Sequence, residues 1–517
     1  MSGIRLGIRL GIRLGIRLGM GLGVGLGKGL GIVIIAAACA SAPSPSSLPS
    51  STPSSTPSST PSSTSGSLPR RIDSILLNPQ FANAHWGVLV LDPERAETLY
   101  SHNAAKLFMP ASNMKIVTGA VGLTQLGAGY RWKTTFIAGG PVKNGRLEGD
   151  LLVSGTGDPT FSDHARKDAL APMREIADSL AARGITSIAG KIVAEGDPFP
   201  GPKLGAAWSW DYLGEDYGAG WDALYFNEGF ARVAVRGVGD SVALTLLPAT
   251  GYPVVRRGAL RVSGDSTRLT FALDSVTRQF VASGNLKRGT VDTVVIVYPE
   301  QRAAWLAALQ QPVSALGARR SAGGRGATAT PPTVKAGDTL LVYQSAPLGE
   351  VLGFMEKPSQ NQIAEIIFHT IAMEKAGIGS EDSARAVVAR QLVAWGASPD
   401  GFLIKDGSGL SRKDYVSPAT LAHVLAAMRG DSVWLAALPL AGVDGSLEFR
   451  FRGTPAAGNV RAKTGSIENV RSLSGYLTDA AGRRLIFVLL CNNFSVPQSH
   501  VDSAQEAIVE MLVAPRQ

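Results

Sequence analysis

Three short motifs in this chain of 517 residues contain the residue types of one reactive centre, although they lie far apart in the sequence. They are Ser112-Asn-Met-Lys115, Ser359-Gln-Asn361 and Lys463-Thr-Gly465, and the first two begin 247 residues apart. If all three form one site, the segments that carry the first and last motifs must fold together. The long stretch after the first motif must then leave that domain and return to it before the second.

The first motif places a nucleophile and a base at helical spacing. A serine hydroxyl reacts poorly until a neighbouring base removes its proton. Residues three apart on a helix share a face, so the amine of Lys115 can reach the hydroxyl of Ser112. Pro110 precedes an apolar-periodic run through Val121, which predicts a helix start with the serine in its first turn. S-x-x-K, S-x-N and K-T-G in this order indicate a serine acyl-transfer site.

Chain position selects one of the three S-x-N matches as part of this site. Ser101-His-Asn103 precedes the nucleophile motif, and Ser283-Gly-Asn285 lies in a region of short β-type runs. Ser359-Gln-Asn361 instead opens the amphipathic run 362–371, so its side chains are predicted at a helix N-terminus. K-T-G occurs once, at the start of a predicted strand. The second element of the site is therefore predicted to be Ser359 and Asn361, and the third Lys463.

The pattern of strands and helices predicts a discontinuous domain. Predicted strands lie near both ends of the folded sequence, at 86–92, 97–100, 472–477 and 484–490, with a terminal helix at 501–513. They indicate one α/β domain built from residues 69–145 and 334–517. Residues 146–333 instead contain short β-type runs separated by glycine turns, at 242–247, 269–273 and 293–298, with one helix at 171–183 and a loop at 319–332. This stretch is predicted to form one or two inserted, mainly β domains.

The N-terminus has the features of an export signal. A repeated Gly-Ile-Arg-Leu unit carries the positive charge, and an apolar stretch at 29–38 ends in three alanines. Cys39 follows, and then a Ser/Pro/Thr tract. We expect a signal segment at 1–38, a linker at 39–68, and a protein exported to the periplasm or cell envelope. Two outcomes stay open: Cys39 carries a lipid anchor, or the signal is cleaved after its alanines.

Charge and residue content argue against several other classes of protein. The net charge is +9, but residues 1–69 contain five basic residues and no acid, which leaves only +4 for the rest. Because no basic cluster marks the folded part, no nucleic-acid partner is expected. The six histidines are scattered without an H-E-x-x-H pattern, and G-x-S-x-G is missing from the sequence. We therefore expect no metal and no cofactor. Cys491 lies in a predicted buried strand, as a core residue.

Longer segments resemble one family. Pro110-Ala-Ser-Asn-Met-Lys115, Asp406-Gly-Ser-Gly-Leu-Ser-Arg412 and Pro439-Leu-Ala-Gly-Val-Asp-Gly-Ser446 are similar to segments of the D-alanyl-D-alanine carboxypeptidase/endopeptidase family, the class C low-molecular-mass penicillin-binding proteins. The gap of 247 residues also resembles this family, in which two domains are inserted. The resemblance implies an α/β (α+β) penicillin-binding transpeptidase-like domain, a sheet flanked by helices. It also implies peptidoglycan stem peptides as substrates and β-lactams as covalent inhibitors.

The resemblance also implies a role for each residue of the site. Ser112 would attack the carbonyl of the penultimate D-alanine, with Lys115 as base. Burial and the second cation, Lys463, would lower the pKa of Lys115 and keep it neutral. Ser359 would relay the proton to the departing amine, and Asn361 would orient the substrate. The backbone N–H groups of Ser112 and Ser466 would form the oxyanion hole. The residues implied to bind substrate are Thr464, Gly465, Ser466, Arg412, Ser446 and Asp211.

Some alternatives stay open at this stage. Asp211, in Trp208-Ser-Trp-Asp211, is implied to meet the amine of the stem peptide's diamino acid, but an exposed acidic turn would explain it equally well. A β-lactamase or an esterase could use the same site, although no Glu-x-x-Leu-Asn deacylation motif is evident. A non-catalytic peptidoglycan-binding protein is the alternative of a different class. The balance between carboxypeptidase and endopeptidase action is not determined by the motifs.

Overall fold

The computed structural model describes residues 67–317 and 334–514. The predicted signal segment at 1–38, Cys39, nearly all of the linker at 39–68 and the loop at 319–332 lie outside the described residues. Within the two described ranges, no helix is both long enough and apolar enough to cross a membrane.

The described residues form 11 helices and 20 strands. The helices are α1 (Leu68–Leu76), α2 (Met114–Leu126), α3 (Asp163–Arg166), α4 (Ala171–Ala182), α5 (Gln301–Ser314), α6 (Leu348–Glu356), α7 (Asn361–Ala376), α8 (Glu381–Ala394), α9 (Pro418–Met428), α10 (Ser432–Ala437) and α11 (Gln498–Val513). The first strands are β1 (His85–Asp92), β2 (Glu97–His102), β3 (Lys133–Ala138), β4 (Val142–Lys143), β5 (Arg146–Leu147), β6 (Leu151–Gly155), β7 (Ser187–Ile188), β8 (Ile192–Ala194), β9 (Phe230–Val238) and β10 (Ser241–Leu247). The later strands are β11 (Val255–Ser263), β12 (Arg268–Leu273), β13 (Phe280–Lys287), β14 (Val291–Val297), β15 (Thr339–Gln344), β16 (Phe402–Leu403), β17 (Tyr415–Val416), β18 (Arg461–Ile467), β19 (Val470–Thr478) and β20 (Arg484–Asn492).

One antiparallel sheet joins the two ends of the described chain. Its strand order is β18-β19-β20-β1-β2, and Val88 of β1 lies opposite Leu489 of β20. Successive side chains on a strand point to opposite faces. Val488 accordingly packs with α2 and α9 on one face, and Leu489 packs with α1 and α11 on the other. The predicted α/β fold, a sheet flanked by helices, is confirmed. Cys491, also on β20, is buried in this core as predicted.

The middle of the chain forms a second core. Three-stranded sheets β10-β9-β14 and β11-β13-β12 and a four-stranded sheet β15-β3-β6-β8 pack with α4 and α5. The four-stranded sheet crosses the predicted boundary at 145/146, because β3 lies before it and β6 after it. Helix α5 was not predicted, because only one helix, at 171–183, was expected in this region. Its buried residues, among them Trp305 and Leu309, have helical spacing that short β-type runs on either side obscure.

Candidate active site

Ser112 lies in a tight turn that leads directly into α2. A 3-10 turn covers Ala111–Asn113 and continues into the helix at Met114. Ala111 has φ +47°, a conformation that non-glycine residues rarely adopt and that often marks functional sites. The residues on either side of Ser112 are buried, whereas Ser112 itself is half-buried. The turn therefore leaves one serine partly accessible to solvent while its neighbours are buried in the core.

Lys115 is completely buried and has three hydrogen-bond partners. Its Nζ lies 3.0 Å from Ser112 Oγ, 2.6 Å from Asn361 Oδ1 and 2.9 Å from the Ser408 carbonyl oxygen. A protonated lysine has three N–H donors, so all three can be used here. A neutral amine keeps two donors for Asn361 and Ser408 and directs its lone pair to Ser112. The arrangement thus accommodates both protonation states without moving the side chain.

The surroundings of Lys115 favour its neutral form. Burial, followed by the charge of Lys463, lowers the pKa of Lys115 to about 7. The carboxyl groups of Glu356, Asp406 and Glu365 oppose this shift. At neutral pH a substantial fraction of Lys115 is therefore unprotonated, which a general base requires.

Lys463 occupies the other side of the site, on β18. It is also completely buried, and its Nζ donates to Ser359 Oγ at 2.8 Å and to the Thr464 carbonyl oxygen at 2.9 Å. Ser359 has φ +68°, which places this serine in the sparsely populated left-handed region. Asn361 Nδ2 donates to the Tyr217 carbonyl oxygen at 2.8 Å, so a segment from the middle of the chain forms part of the same site.

The edge strand β18 carries polar groups toward the cleft. Thr464 Oγ1 lies 2.6 Å from Ser446 Oγ, and Ser446 is exposed. The Ala462 N–H bonds away from the sheet, to the Pro439 carbonyl oxygen. Because backbone N–H direction alternates along a strand, the N–H groups of Thr464 and Ser466 point to the same side. This edge therefore offers unpaired donors on the side where an extended peptide could lie.

Gly465 is required by the close approach of β18 to the serine turn. A Cβ at this position would collide with Ser472 Oγ and lie 3.0 Å from the Ser112 backbone nitrogen. We predict that Gly465→Ala slows acylation of Ser112 by about 100-fold, because a displacement near 1 Å disrupts reactive geometry. The rate of labelling by a fluorescent penicillin measures this. Gly353→Ala is the matched control, since its Cβ would have no atom within 4 Å; equal rates for the two variants would contradict the prediction.

The outer predicted residues lie on segments that border this centre. Trp208 packs beside Ala111 and donates from Nε1 to Asp406 Oδ2 at 2.8 Å. Asp211, three residues later, is exposed and accepts a long hydrogen bond of 3.4 Å from Ser209 Oγ. Arg412 Nη1 donates to the Glu468 carbonyl oxygen at 3.0 Å. The structure thus joins Lys115 to Ser112 and Asn361 by hydrogen bonds, and Lys463 to Ser359 by another. Asp211 and Arg412 take part in neither group.

Three contributors were not identified from the sequence. Asn113 Nδ2 donates to the Lys463 carbonyl oxygen at 2.9 Å and links the first motif to the third. The Ser408 carbonyl oxygen holds Lys115, and Asp406 shapes that loop by accepting the backbone N–H groups of Ser408 and Gly409 at 3.1 and 2.6 Å. All three lie inside segments whose residue pattern was noted. Their place within these segments was the only indication in the sequence that they belong to the site. A backbone carbonyl, such as that of Ser408, has no sequence pattern of its own.

The fold and this network define the class: an enzyme that transfers acyl groups through a serine, on a penicillin-binding fold. Residues 68–514 match the D-Ala-D-Ala carboxypeptidase 3 (S13) family, and the chain belongs to that family. It is a serine D-Ala-D-Ala carboxypeptidase, as the resemblance implied.

Individual relatives agree with this assignment. The chain is 30% identical to a D-alanyl-D-alanine carboxypeptidase of Actinomadura sp. (strain R39), over 82% of this chain and 81% of the relative. It is 26% identical to the D-alanyl-D-alanine carboxypeptidase DacB of Haemophilus influenzae, over 79% of this chain and 85% of the relative. The crystal structure of penicillin binding protein 4 (dacB) from Haemophilus influenzae matches the fold with a TM-score of 0.72 at 23% identity, covering 86% of this chain and 99% of that one.

Proposed function

We propose that Ser112 is the nucleophile of this carboxypeptidase and that Lys115 is its general base. The observation that carries the proposal is the 3.0 Å separation between Lys115 Nζ and Ser112 Oγ, with Lys115 completely buried. Neutral Lys115 takes the proton of the serine hydroxyl as Oγ bonds to the carbonyl carbon of the penultimate D-alanine. The N–H groups of Ser112 and Ser466 stabilise the resulting oxyanion; one such donor is typically worth about 3 kcal/mol.

Collapse of the tetrahedral intermediate needs a proton for the departing amine. Ser359 is placed to relay it: its Oγ accepts a hydrogen bond from Lys463, which leaves its own O–H free to donate to the leaving nitrogen. The proton that Lys115 took from Ser112 then replaces the one that Ser359 gave up. The bond between the carbonyl carbon and nitrogen breaks, D-alanine leaves as the free amino acid, and Ser112 holds the acyl group. Water then hydrolyses the ester and releases the shortened peptide. Asn361 holds Lys115 in position through both steps.

The substrate we propose is a peptidoglycan stem peptide that ends in D-Ala-D-Ala. Lys463 as a buried cation, together with the hydroxyl of Thr464, suits its terminal carboxylate. Relatives described as D-alanyl-D-alanine carboxypeptidases support the D-Ala-D-Ala bond as the target, and penicillin binding protein 4 from Haemophilus influenzae has been crystallised with a β-lactam. We propose that β-lactams acylate Ser112 in the same way. Asp211, with Arg412 and Ser446, is the proposed subsite for the diamino acid.

The purified full chain tests this function directly. It should become covalently labelled by a fluorescent penicillin and should release D-alanine from a stem pentapeptide. Digestion of purified peptidoglycan, followed by mass analysis of the fragments, separates carboxypeptidase from endopeptidase products. A protein that is neither labelled nor releases D-alanine would contradict the proposal. Rapid turnover of the penicillin would instead indicate a β-lactamase.

We further propose that the protein is exported to the cell envelope and anchored there by a lipid on Cys39. The charged repeat, the apolar stretch at 29–38 and the Ser/Pro/Thr tract after Cys39 support this. Cys39→Ala should abolish incorporation of a labelled fatty acid and move the protein from the membrane fraction to the soluble fraction. If mass analysis shows a wild-type protein that begins at Cys39, Ala40 or Ser41 and carries no lipid, the signal is cleaved but the anchor is refuted.

A further inference from the structure

The segment at 439–446, here called the strap, lies along the outer edge of β18. At its start, the Pro439 carbonyl oxygen accepts the Ala462 N–H at 3.1 Å. At its end, Ser446 Oγ lies 2.6 Å from Thr464 Oγ1. Both ends of the strap therefore contact the strand that carries the third motif, and the second contact is made to a residue proposed to bind the substrate carboxylate.

An ion pair joins the strap to the segment that precedes Ser359. Asp444 Oδ2 accepts a hydrogen bond from Lys357 Nζ, and Asp444 Oδ1 accepts the Leu440 N–H at 2.9 Å. The backbone adds a second link, since the Ser446 N–H donates to the Lys357 carbonyl oxygen at 2.9 Å. One lysine thus contacts the strap through both its side chain and its backbone, two residues before the serine of the second motif.

The strap and Lys357 approach each other closely at Gly445. This glycine has φ +59°, and a Cβ on it would lie 2.8 Å from the Lys357 carbonyl oxygen. Glycine adopts such a backbone conformation readily, whereas other residues do so rarely. The position of the end of the strap is therefore determined by its contact with Lys357.

The position of Ser446 affects what Thr464 can offer to a substrate. Each hydroxyl has one O–H donor and can also accept. When Ser446 donates to Thr464 Oγ1, the O–H of Thr464 is free to donate to the substrate carboxylate. Ser446 also belongs to the proposed diamino-acid subsite, so a displaced strap would disturb two substrate contacts together.

We propose that Lys357 and Asp444 are positioning residues for substrate binding: their ion pair fixes the strap so that Ser446 orients the hydroxyl of Thr464. The proposal rests on the function proposed above and adds residues that support its binding site. Neither side chain is assigned to the reacting atoms. The two side chains are 31% and 37% exposed, and ion pairs at such positions contribute little to the stability of the fold. Their effect should therefore be visible in substrate binding.

The experiment measures kcat and KM for release of D-alanine from a stem pentapeptide by the full chain. Lys357→Met and Asp444→Asn each remove one charge, and the asparagine keeps an oxygen for the Leu440 N–H. Each should raise KM about fivefold and leave kcat nearly unchanged, because an interaction that holds substrate and transition state alike is lost. Lys357→Arg keeps the charge and should keep KM near the wild-type value.

A double variant tests whether the two residues act as a pair. Lys357→Met combined with Asp444→Asn should raise KM about fivefold, as each single change does, whereas independent effects would multiply to about 25-fold. Ser446→Ala should also raise KM, and adding Lys357→Met to it should have no further effect. Arg452→Met is the matched control, since it breaks an ion pair with Glu448, outside the strap, and should leave kcat and KM unchanged.

The outcomes separate this proposal from the function on which it rests. A wild-type protein that releases no D-alanine overturns the proposed function and the role of the ion pair with it. An active wild type, with KM unchanged in both single variants, overturns the role of the ion pair alone. Independent effects in the double variant, or a raised KM in Lys357→Arg, would overturn that role as well, because the ion pair would then not be their cause.

Discussion

Ser112→Ala is expected to abolish covalent labelling by a fluorescent penicillin and release of D-alanine. The substitution removes the one oxygen that can carry the acyl group, and no bond can form to a methyl side chain. The fold should be retained, because Ser112 is half-buried and its Oγ is only one of three partners of Lys115 Nζ. Intact-mass analysis after incubation with penicillin should show no added mass.

Ser101→Ala provides the matched control for this result. Ser101 is exposed on β2, where it begins another S-x-N match, and it should leave labelling at the wild-type level. Far-UV circular dichroism and the melting temperature should be alike for wild type and both variants. Labelling of Ser112→Ala at the wild-type rate would place the nucleophile elsewhere and would contradict the proposed mechanism.

Lys115→Met should slow acylation by about 1,000-fold without unfolding the protein. Loss of a general base typically costs about 100- to 10,000-fold. Among residues 67–317 and 334–514, Lys115 is the one whose amine is hydrogen-bonded to Ser112 Oγ. Methionine has a similar length and no charge, so the buried volume stays filled while the cost of burying an amine disappears. Stopped-flow measurement of penicillin labelling, combined with thermal unfolding, separates the two effects.

The control for charge removal is Lys375→Met, in the exposed last turn of α7. It should acylate at the wild-type rate. The proposal would fail if Lys115→Met acylated within about threefold of wild type, since a general base contributes far more than that. A large loss of thermal stability in Lys115→Met would point instead to a structural role through its bonds to Asn361 and Ser408.

The sequence predicted the structure correctly where the interacting residues lie close together along the chain. The spacing of Ser112 and Lys115 predicts a shared helix face, and the two are joined by a hydrogen bond between the 3-10 turn at Ala111–Asn113 and the start of α2. A continuous apolar run predicts the buried strand β20 of the central sheet, and the structure confirms it. The sequence predicted less where helical and β-type patterns lie next to each other. Helix α5 was missed because its apolar residues lie among β-type runs. Strand β3 pairs with β6 across the domain boundary that composition alone had suggested.

The sequence by itself determined the order of the three motifs, the helix that carries the serine and the family to which the chain belongs. These features depend on residue types and on short spacings along the chain, and both are visible in the sequence itself. Only the tertiary structure decided that Lys115 is fully buried, that the Ser408 carbonyl oxygen accepts a hydrogen bond from it, and that Asn361 lies against it. The burial of a side chain and the charges around it depend on neighbours that come from distant segments of the chain. No single segment of the sequence contains that information.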